Sequence, residues 1–264
     1  MNNIKNKWVW ITGASSGLGE AMAVEFARQG ARLVLSSRRK EELERVKDKC
    51  VGSPEVIIET MDVIEHDEMP KKVERVLGLT GHVDILINSA GISQRSLVKD
   101  TDFEVDKRII DINFLGTVAI SKAILPHFIE RNSGQFVAIS SVTGKLGTPL
   151  RSSYAASKHA LHGFFDSLRA EMHDTGIDVT LICPGYIKTN ISINAVTGDG
   201  SPQNKMDEKQ AKGMLPDTFA SKAVRGIARK RREMYIGGTE TLGIYIKRFF
   251  PGLLAKIITR VNVT

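Results

Sequence analysis

Tyr154 and Lys158 stand four residues apart in Y-A-A-S-K, so on a helix one lies above the other on the same face. A phenol is a poor acid at neutral pH, with a pKa of about 10. A lysine ammonium beside it favours the phenolate and draws the group towards the range in which it can pass a proton to a reacting atom. Ser141 lies thirteen residues before the tyrosine, across a Gly- and Pro-broken loop that can fold it back towards the phenol. A bare Y-x-x-x-K is more often a surface tyrosine with a solvated lysine one turn along. The elements that would position these side chains therefore have to decide between chemistry and decoration.

Those elements alternate between strand and helix patterns. An apolar strand at 8–12 runs into T-G-A-S-S-G-L-G, residues 12–19, and then into an amphipathic helix through Met22, Phe26 and Ala27 that stops at Gly30. Strand, glycine loop and helix form the context of a dinucleotide phosphate site. Gly13 suits the tight turn, Gly17 lets backbone N–H groups approach a pyrophosphate, and Gly19 allows close helix–strand packing. Strands follow at 32–36, 55–61, 83–87, 135–140, 178–183 and 233–236. Helices are predicted at 67–79, at 103–128 with Asn113 and Gly116 inside, from Tyr154 to 172, and at 221–231. This order predicts one α/β domain over residues 1–264: a Rossmann-type, doubly wound, mostly parallel sheet with helices on both faces. Ligands of such a sheet sit beyond the carboxyl ends of its strands, where the motifs fall.

Composition agrees with a soluble globular chain. Of 264 residues 42% are hydrophobic and 25% charged, and no apolar run approaches the ~18 residues of a membrane span. The N-terminus has no signal-peptide core, and two cysteines far apart, Cys50 and Cys183, point to a reducing cytoplasm rather than a disulfide framework. The net charge of +7 is uneven: from Ala220 onward ten Lys or Arg face only Glu233 and Glu240, a balance of +8, which leaves −1 for residues 1–219. Nucleic acid is not an expected partner, because the 229–232 basic cluster has no aromatic stacking platform. His159 and His162 follow Lys158 without metal-ligand spacing; they and His66, His82, His127 and His173 read as packing or surface residues, and no metal is expected.

The ordered set T-G-A-S-S-G-L-G, Asp62-Val63, N-S-A-G from Asn88, Asn113, Ser141, Y-A-A-S-K and P-G-Y-I-K-T ending at Thr189 resembles the short-chain dehydrogenase/reductase family, in its short single-domain branch. The resemblance implies that Tyr154 donates a proton to a carbonyl oxygen and that Lys158 lowers the phenol pKa and bonds the nicotinamide ribose. It also implies that Ser141 polarises the substrate carbonyl and that Asn113 anchors a water linking Lys158 to solvent. The cofactor it implies lies against Gly13, Ser15, Ser16, Gly17, Leu18 and Gly19, with Asp62 and Val63 at the adenine and Asn88, Ala90 and Gly91 near the ribose. Pro184, Gly185, Ile187 and Thr189 follow at the nicotinamide end. A homodimer or homotetramer is expected through the helices that carry Asn113 and Tyr154. Two positions depart from the family's commoner pattern: Ser89 replaces a second Asn, and Ser16 stands where many NADPH-preferring members have a basic residue.

An NAD-preferring site carries a carboxylate at the end of the second strand. Here Ser37 stands there and Arg38 follows, and a guanidinium suits a 2′-phosphate, so NADP(H) is expected to be preferred with NAD(H) second. Arg39 reads only as the start of a solvated helix. Residues 92–99, 143–153 and a lid at about 186–215 are expected to wall the substrate pocket, where Leu146, Pro149, Leu150 and Tyr186 favour a lipophilic carbonyl or alcohol. A 3-oxoacyl-thioester reductase is the nearest alternative. A non-catalytic dinucleotide-binding sensor is less favoured, because Tyr154 and Lys158 are both present. In the basic segment at about 243–264, Phe250, Leu253, Leu254, Ile257, Ile258 and Val261 recur at helical spacing, with Lys256 and Arg260 off that face. Such a helix packs on its own domain or a sister subunit, or makes peripheral contact with an anionic membrane.

Overall fold

Period-two burial along the strands sets the architecture. In the computed structural model, which describes residues 4–259, Val9 and Ile11 of β1 (Trp8–Thr12) enter one core and Trp8 and Trp10 enter another. A strand buried on both faces belongs at the middle of a layered sheet. The described residues form a seven-stranded sheet in the order β3-β2-β1-β4-β5-β6-β7, parallel at every pairing. The remaining strands are β2 (Arg32–Ser36), β3 (Val56–Ile58), β4 (Ile85–Asn88), β5 (Gly134–Ile139), β6 (Ile177–Pro184) and β7 (Glu233–Ile236).

Helices α1 (Gly17–Arg28), α2 (Lys40–Lys49) and α8 (Pro216–Ala228) bury Phe26, Leu43 and Phe219 against one face. Against the other lie α3 (Met69–Thr80), α4 (Phe103–Ile110), α5 (Gly116–Glu130) and α6 (Ser152–Glu171). There Phe128 meets Phe136 edge-on, with centroids 4.9 Å apart. The strand order reverses between β1 and β4, which pair from Val9↔Ile85 to Thr12↔Asn88. The loops leaving these two strands diverge and open a crevice, where ligands of such sheets bind.

Several boundaries differ from the sequence reading. The third strand contracts from 55–61 to Val56–Ile58, and the helix expected at 221–231 begins at Pro216, a residue suited to a first helical turn. The 103–128 helix runs from 103 to 130, with a π turn over Asp111–Leu115 between α4 and α5. By length and hydropathy this helix could cross a membrane, a match that a search for uninterrupted apolar runs misses. Its apolar residues have another use, because Ile120, Ile124 and Phe128 are completely buried in the sheet core.

The C-terminal stripe does not form one helix. Pro251 has no N–H and restricts the residue before it, so Phe250 leaves helical geometry (φ −135°, ψ 60°). Two short helices result, α9 (Leu242–Phe249) and α10 (Pro251–Ile258). Leu254 is buried beside Val142, Leu146 and Ile244, with Ile258 packed against the cluster, whereas Phe250 and Leu253 face outward. Arg260 and Val261 lie outside the described residues.

Candidate active site

Helix α6 begins with Tyr154 almost at its first turn, where backbone N–H groups lack partners within the helix. Gln94, completely buried in the loop after β4, supplies one. Its Oε1 accepts from the Ser153 N–H (2.9 Å) and the Tyr154 N–H (3.4 Å). One turn on, the Lys158 Nζ donates to the Ile139 carbonyl at the end of β5 (2.9 Å), and the Ser140 hydroxyl donates to the Lys158 carbonyl (3.2 Å). These contacts set both the depth and the rotation of the helix. Tyr154 and Lys158 come out buried, side by side, with the ammonium 5.8 Å from the phenol ring centre.

Burial acts on the two groups in opposite directions. It raises the Tyr154 phenol, and the Ser141 hydroxyl, then the charges of Arg151 and Arg95, oppose that rise. Burial pulls Lys158 down to about 8. Ser141 opens a turn in which its own Oγ accepts from the Thr143 N–H (3.1 Å) and hydroxyl (2.9 Å). That leaves its O–H to donate towards an oxygen in the crevice. A phenol, an ammonium and a hydroxyl so placed can deliver a proton to a carbonyl oxygen and orient it.

Asn113 sits in the π turn, a common setting for a functional residue. Its Oδ1 accepts from the Ile92 N–H (2.8 Å), and its Nδ2 donates to the Ile92 carbonyl (2.9 Å) and to the Ser157 hydroxyl (3.0 Å). It thus lies behind the cavity wall, linked to α6. Asn88 also lies behind the wall, donating to the Ser121 hydroxyl (3.1 Å). A Cβ on Gly91 would stand 3.1 Å from Asn113 Oδ1 and 3.5 Å from Lys158 Nζ, so these groups approach each other across that glycine.

A cavity of about 820 Å³ joins the rest. At one end are Gly13, Ser15, Ser16, Gly17, Leu18, Gly19, Ser37, Arg38, Asp62, Val63, Ala90 and Gly91. Gly13 is left-handed (φ 66°), and a side chain there would stand 2.7 Å from the Ala90 backbone. A Cβ on Gly19 would collide with the Gly13 carbonyl oxygen. The turn is therefore a cradle that side chains would fill, and it ends at the N-terminus of α1, where N–H groups and the helix dipole favour phosphate. Arg45 braces it from α2, donating to both Glu20 carboxylate oxygens (2.7 and 2.9 Å) and to the Ser15 carbonyl (3.0 Å). Arg38 is exposed and lies 3.8 Å from Asp62. Pro184, Gly185, Ile187 and Thr189 line the cavity across from the turn, where a Cβ on Gly17 would stand 3.6 Å from the Thr189 Cβ. The donors and glycines fit a dinucleotide.

Residues 7–199 match the profile of the short chain dehydrogenase family. The chain belongs to the short-chain dehydrogenase/reductase family. It is 44% identical to dehydrogenase/reductase SDR family member 7B of Xenopus tropicalis over 92% of this chain and 81% of that protein. It is 42% identical to dehydrogenase/reductase SDR family protein 7-like of Drosophila melanogaster, over 98% of this chain and 81% of that one. Among solved structures it resembles an alcohol dehydrogenase of Thermococcus sibiricus complexed with 5-hydroxy-NADP (TM-score 0.74, 26% identity, covering 89% of this chain and 98% of that one). An NAD complex of a Burkholderia phymatum short-chain dehydrogenase/reductase shares the fold (TM-score 0.82, 21% identity, covering 100% of this chain and 98% of that one). The protein is thus an oxidoreductase of a family that uses nicotinamide cofactors and acts on carbonyl or alcohol groups.

The other end of this dehydrogenase's cavity contains groups that sequence reasoning missed. Leu146 and Tyr186 line it as expected, but Pro149 and Leu150 do not, and the C-terminal helices contribute Leu242, Ile246, Leu254 and Ile257. Arg39 lines the cofactor end. Gln210, in the short helix α7 (Glu208–Ala211), donates to the Ile187 carbonyl and to the Thr189 hydroxyl (3.4 Å) and so orders that strand end. Residues 186–215 are tied down elsewhere too, through Val196 paired with Gln94 and Met214 paired with Ile187.

His162 is buried behind Lys158, with Nε2 2.9 Å from the Ser140 hydroxyl, and burial, then Lys145, holds its pKa near 4. Cys183 and Glu233 approach it from β6 and β7, a grouping that no local spacing reveals. The Lys145 ammonium holds the Glu233 carboxylate at 2.7 Å.

The depressed Lys158 predicts a pH effect on stability. Its folded pKa of about 8 lies below the unfolded value of about 10.4, so between them the unfolded chain binds more protons. The penalty for burying the ammonium is full below pH 8 and falls as pH rises towards 10.4. Denaturant unfolding should show wild-type stability rising through that window relative to Lys158→Met, by no more than ~1.4 kcal/mol per pH unit. A pH-independent difference would contradict a buried ammonium.

Proposed function

We propose that the protein transfers a hydride between NADP(H) and a carbonyl or secondary alcohol on a lipophilic molecule. The observation that carries this reading is one continuous cavity in which Tyr154, Ser141 and Lys158 stand between a phosphate cradle and an apolar chamber. When bound, the cofactor supplies the hydride. Tyr154 donates its hydroxyl proton to the carbonyl oxygen, which becomes the alcohol, and Ser141 holds that oxygen in line. Lys158 steadies the phenolate and bonds the nicotinamide ribose, while Asn113 positions Lys158 and anchors its water. Oxidation of an alcohol runs the same path backwards, with the phenolate as base.

The apolar side chains of Val142, Leu146, Ile246, Leu254 and Ile257 support a lipophilic substrate over a sugar. A 3-oxoacyl thioester is compatible with the same chamber. Residues 186–215 act as the lid over it. Preference for NADP(H) is supported by Arg38, whose exposed guanidinium suits a 2′-phosphate, with Ser15 and Ser37 lining the same cavity. NAD(H) is the second candidate.

Oxidation of NADPH and NADH should be followed with ketones, aldehydes, steroids and 3-oxoacyl thioesters. Arg38→Ala should raise KM for NADPH about tenfold or more and leave NADH little changed. Equal loss with both cofactors would overturn the assignment.

The C-terminal helices favour a membrane-peripheral position for this otherwise cytoplasmic enzyme. Phe249 and Phe250 are 70% and 63% exposed, and Leu242, Tyr245 and Leu253 are also more than half exposed, beside Lys247, Arg248 and Lys256. Apolar and basic groups together suit an anionic lipid surface. Phosphatidylserine vesicles should co-sediment with the wild type and lose a Phe249→Ser/Phe250→Ser/Leu253→Ser variant. Equal sedimentation of the two would remove the membrane role and leave these side chains to a sister subunit of the expected homo-oligomer.

A further inference from the structure

Three side chains with metal-binding chemistry meet behind Lys158, and none of them lines the large cavity. His162 lies on α6 one turn after Lys158, Cys183 is on β6, and Glu233 opens β7. A nitrogen of His162, the Cys183 sulfur and a Glu233 oxygen all lie within 4.8 Å of one another. Cys183 Sγ is 3.6 Å from His162 Nε2 and 3.8 Å from Glu233 Oε1, and His162 Nδ1 is 3.5 Å from that same oxygen. Bonds of ~2.0–2.3 Å at tetrahedral angles hold the donors of a zinc ion roughly 3.3–3.6 Å apart. The three groups therefore stand close to coordination spacing. Because they come from three separate elements, the local spacing on which the expectation of no metal rested does not reveal them.

The hydrogen bonds of the imidazole point the same way. Ser140 Oγ lies 2.9 Å from His162 Nε2, and its one hydrogen goes to the Lys158 carbonyl (3.2 Å). Nε2 therefore carries the imidazole hydrogen and donates it to Ser140, which leaves Nδ1 with a lone pair. The His162 side chain is only 9% exposed, and Nδ1 has no hydrogen-bond partner among the described residues. A buried lone pair 3.5 Å from a carboxylate oxygen is an unfavourable pairing, which a cation bound to both would reverse. Lys145 Nζ, 2.7 Å from Glu233 Oε1, is the competitor for that role. Its side chain is 25% exposed and can turn to solvent, or it can keep one carboxylate oxygen while a metal takes the other.

We propose that His162, Cys183 and Glu233 form a zinc site, separate from the reaction assigned to Tyr154. Nitrogen, sulfur and oxygen donors together suit zinc, whereas magnesium and calcium take oxygen donors. The ion accepts the imidazole lone pair and replaces the hydrogen of the Cys183 thiol, which leaves to solvent as a proton; no electron moves. Burial pushes that thiol up to about 12, so the proton leaves only in exchange for the metal. Thiolate and carboxylate then balance the two charges of the ion, and water takes the fourth position. The bound ion staples β6 and β7 to the helix that carries Tyr154 and Lys158.

The full chain, freed of metal with a chelator, should be titrated with Co2+, a spectroscopic stand-in for zinc. One equivalent should produce a near-ultraviolet thiolate-to-cobalt band and visible bands of tetrahedral strength, and Zn2+ should abolish both by displacement. Cys50→Ser should keep the thiolate band, and Cys183→Ser should lose it. Lys145→Met should tighten binding several-fold, because the competing ammonium is gone, and Glu233→Gln should weaken it about tenfold or more. Absence of a thiolate band in the wild type, a band that survives Cys183→Ser, or one that Zn2+ does not displace overturns the proposal. If Cys183→Ser does not fold, Lys145→Met and Glu233→Gln decide it, and unchanged affinity in either overturns it. The readout needs no substrate, so its outcome is independent of the reaction assigned to the protein.

Discussion

Desolvation of an adjacent phenol and ammonium is the constraint on which the active end of this molecule depends. Water would hold Tyr154 neutral and Lys158 charged at pH 7 without difficulty, but a buried pair has its charged forms disfavoured on both sides. The phenol rises and Lys158 falls to about 8, so near neutrality Tyr154 keeps the proton it has to deliver while the ammonium lies close to its own titration. The pair is useful only if its placement is rigid. Rigidity comes from partners outside the pair: the Gln94 side chain accepts from the first turn of α6, and the Ile139 carbonyl accepts from Lys158. A shift of α6 by one residue would rotate both side chains away from the cavity.

The parallel sheet answers the same constraint. Six parallel pairings bring the ends of β1, β4, β5 and β6 to one edge, and the loops leaving them hold the glycine cradle, Gln94, Ser141 and Ile187. Thr12 ties two of these ends together, its hydroxyl accepting from the Ser89 and Ala90 N–H groups (3.2 and 3.3 Å). The crevice thus inherits its dimensions from strand register. Its chemical selectivity comes from segments with less regular structure, namely residues 186–215 and the two C-terminal helices.

What was legible in the sequence divides along that line. The alternating strands and helices, the glycine turn, and the Tyr154, Lys158 and Ser141 grouping could be read because each has a local signature of period or spacing. The strand expected at 233–236 appears at Glu233–Ile236. The π turn around Asn113 was hidden because an inserted residue leaves helical periodicity nearly intact. Gln94, Arg95 and Asp207 were hidden for a different reason: polar residues in loops read as solvated, and only the tertiary fold shows them buried. The C-terminal stripe misled because helical spacing persists across Pro251 although the helix does not.

The central claim is that the Tyr154 hydroxyl delivers the proton, and replacing it with hydrogen tests this most directly. In Tyr154→Phe, NADPH binding followed by fluorescence should remain close to wild type, because the glycine cradle and Arg38 are untouched. Turnover of any carbonyl that the wild type reduces should fall by ~10²–10⁴ or more, the usual contribution of a general acid. Turnover within a few-fold of wild type would contradict the account.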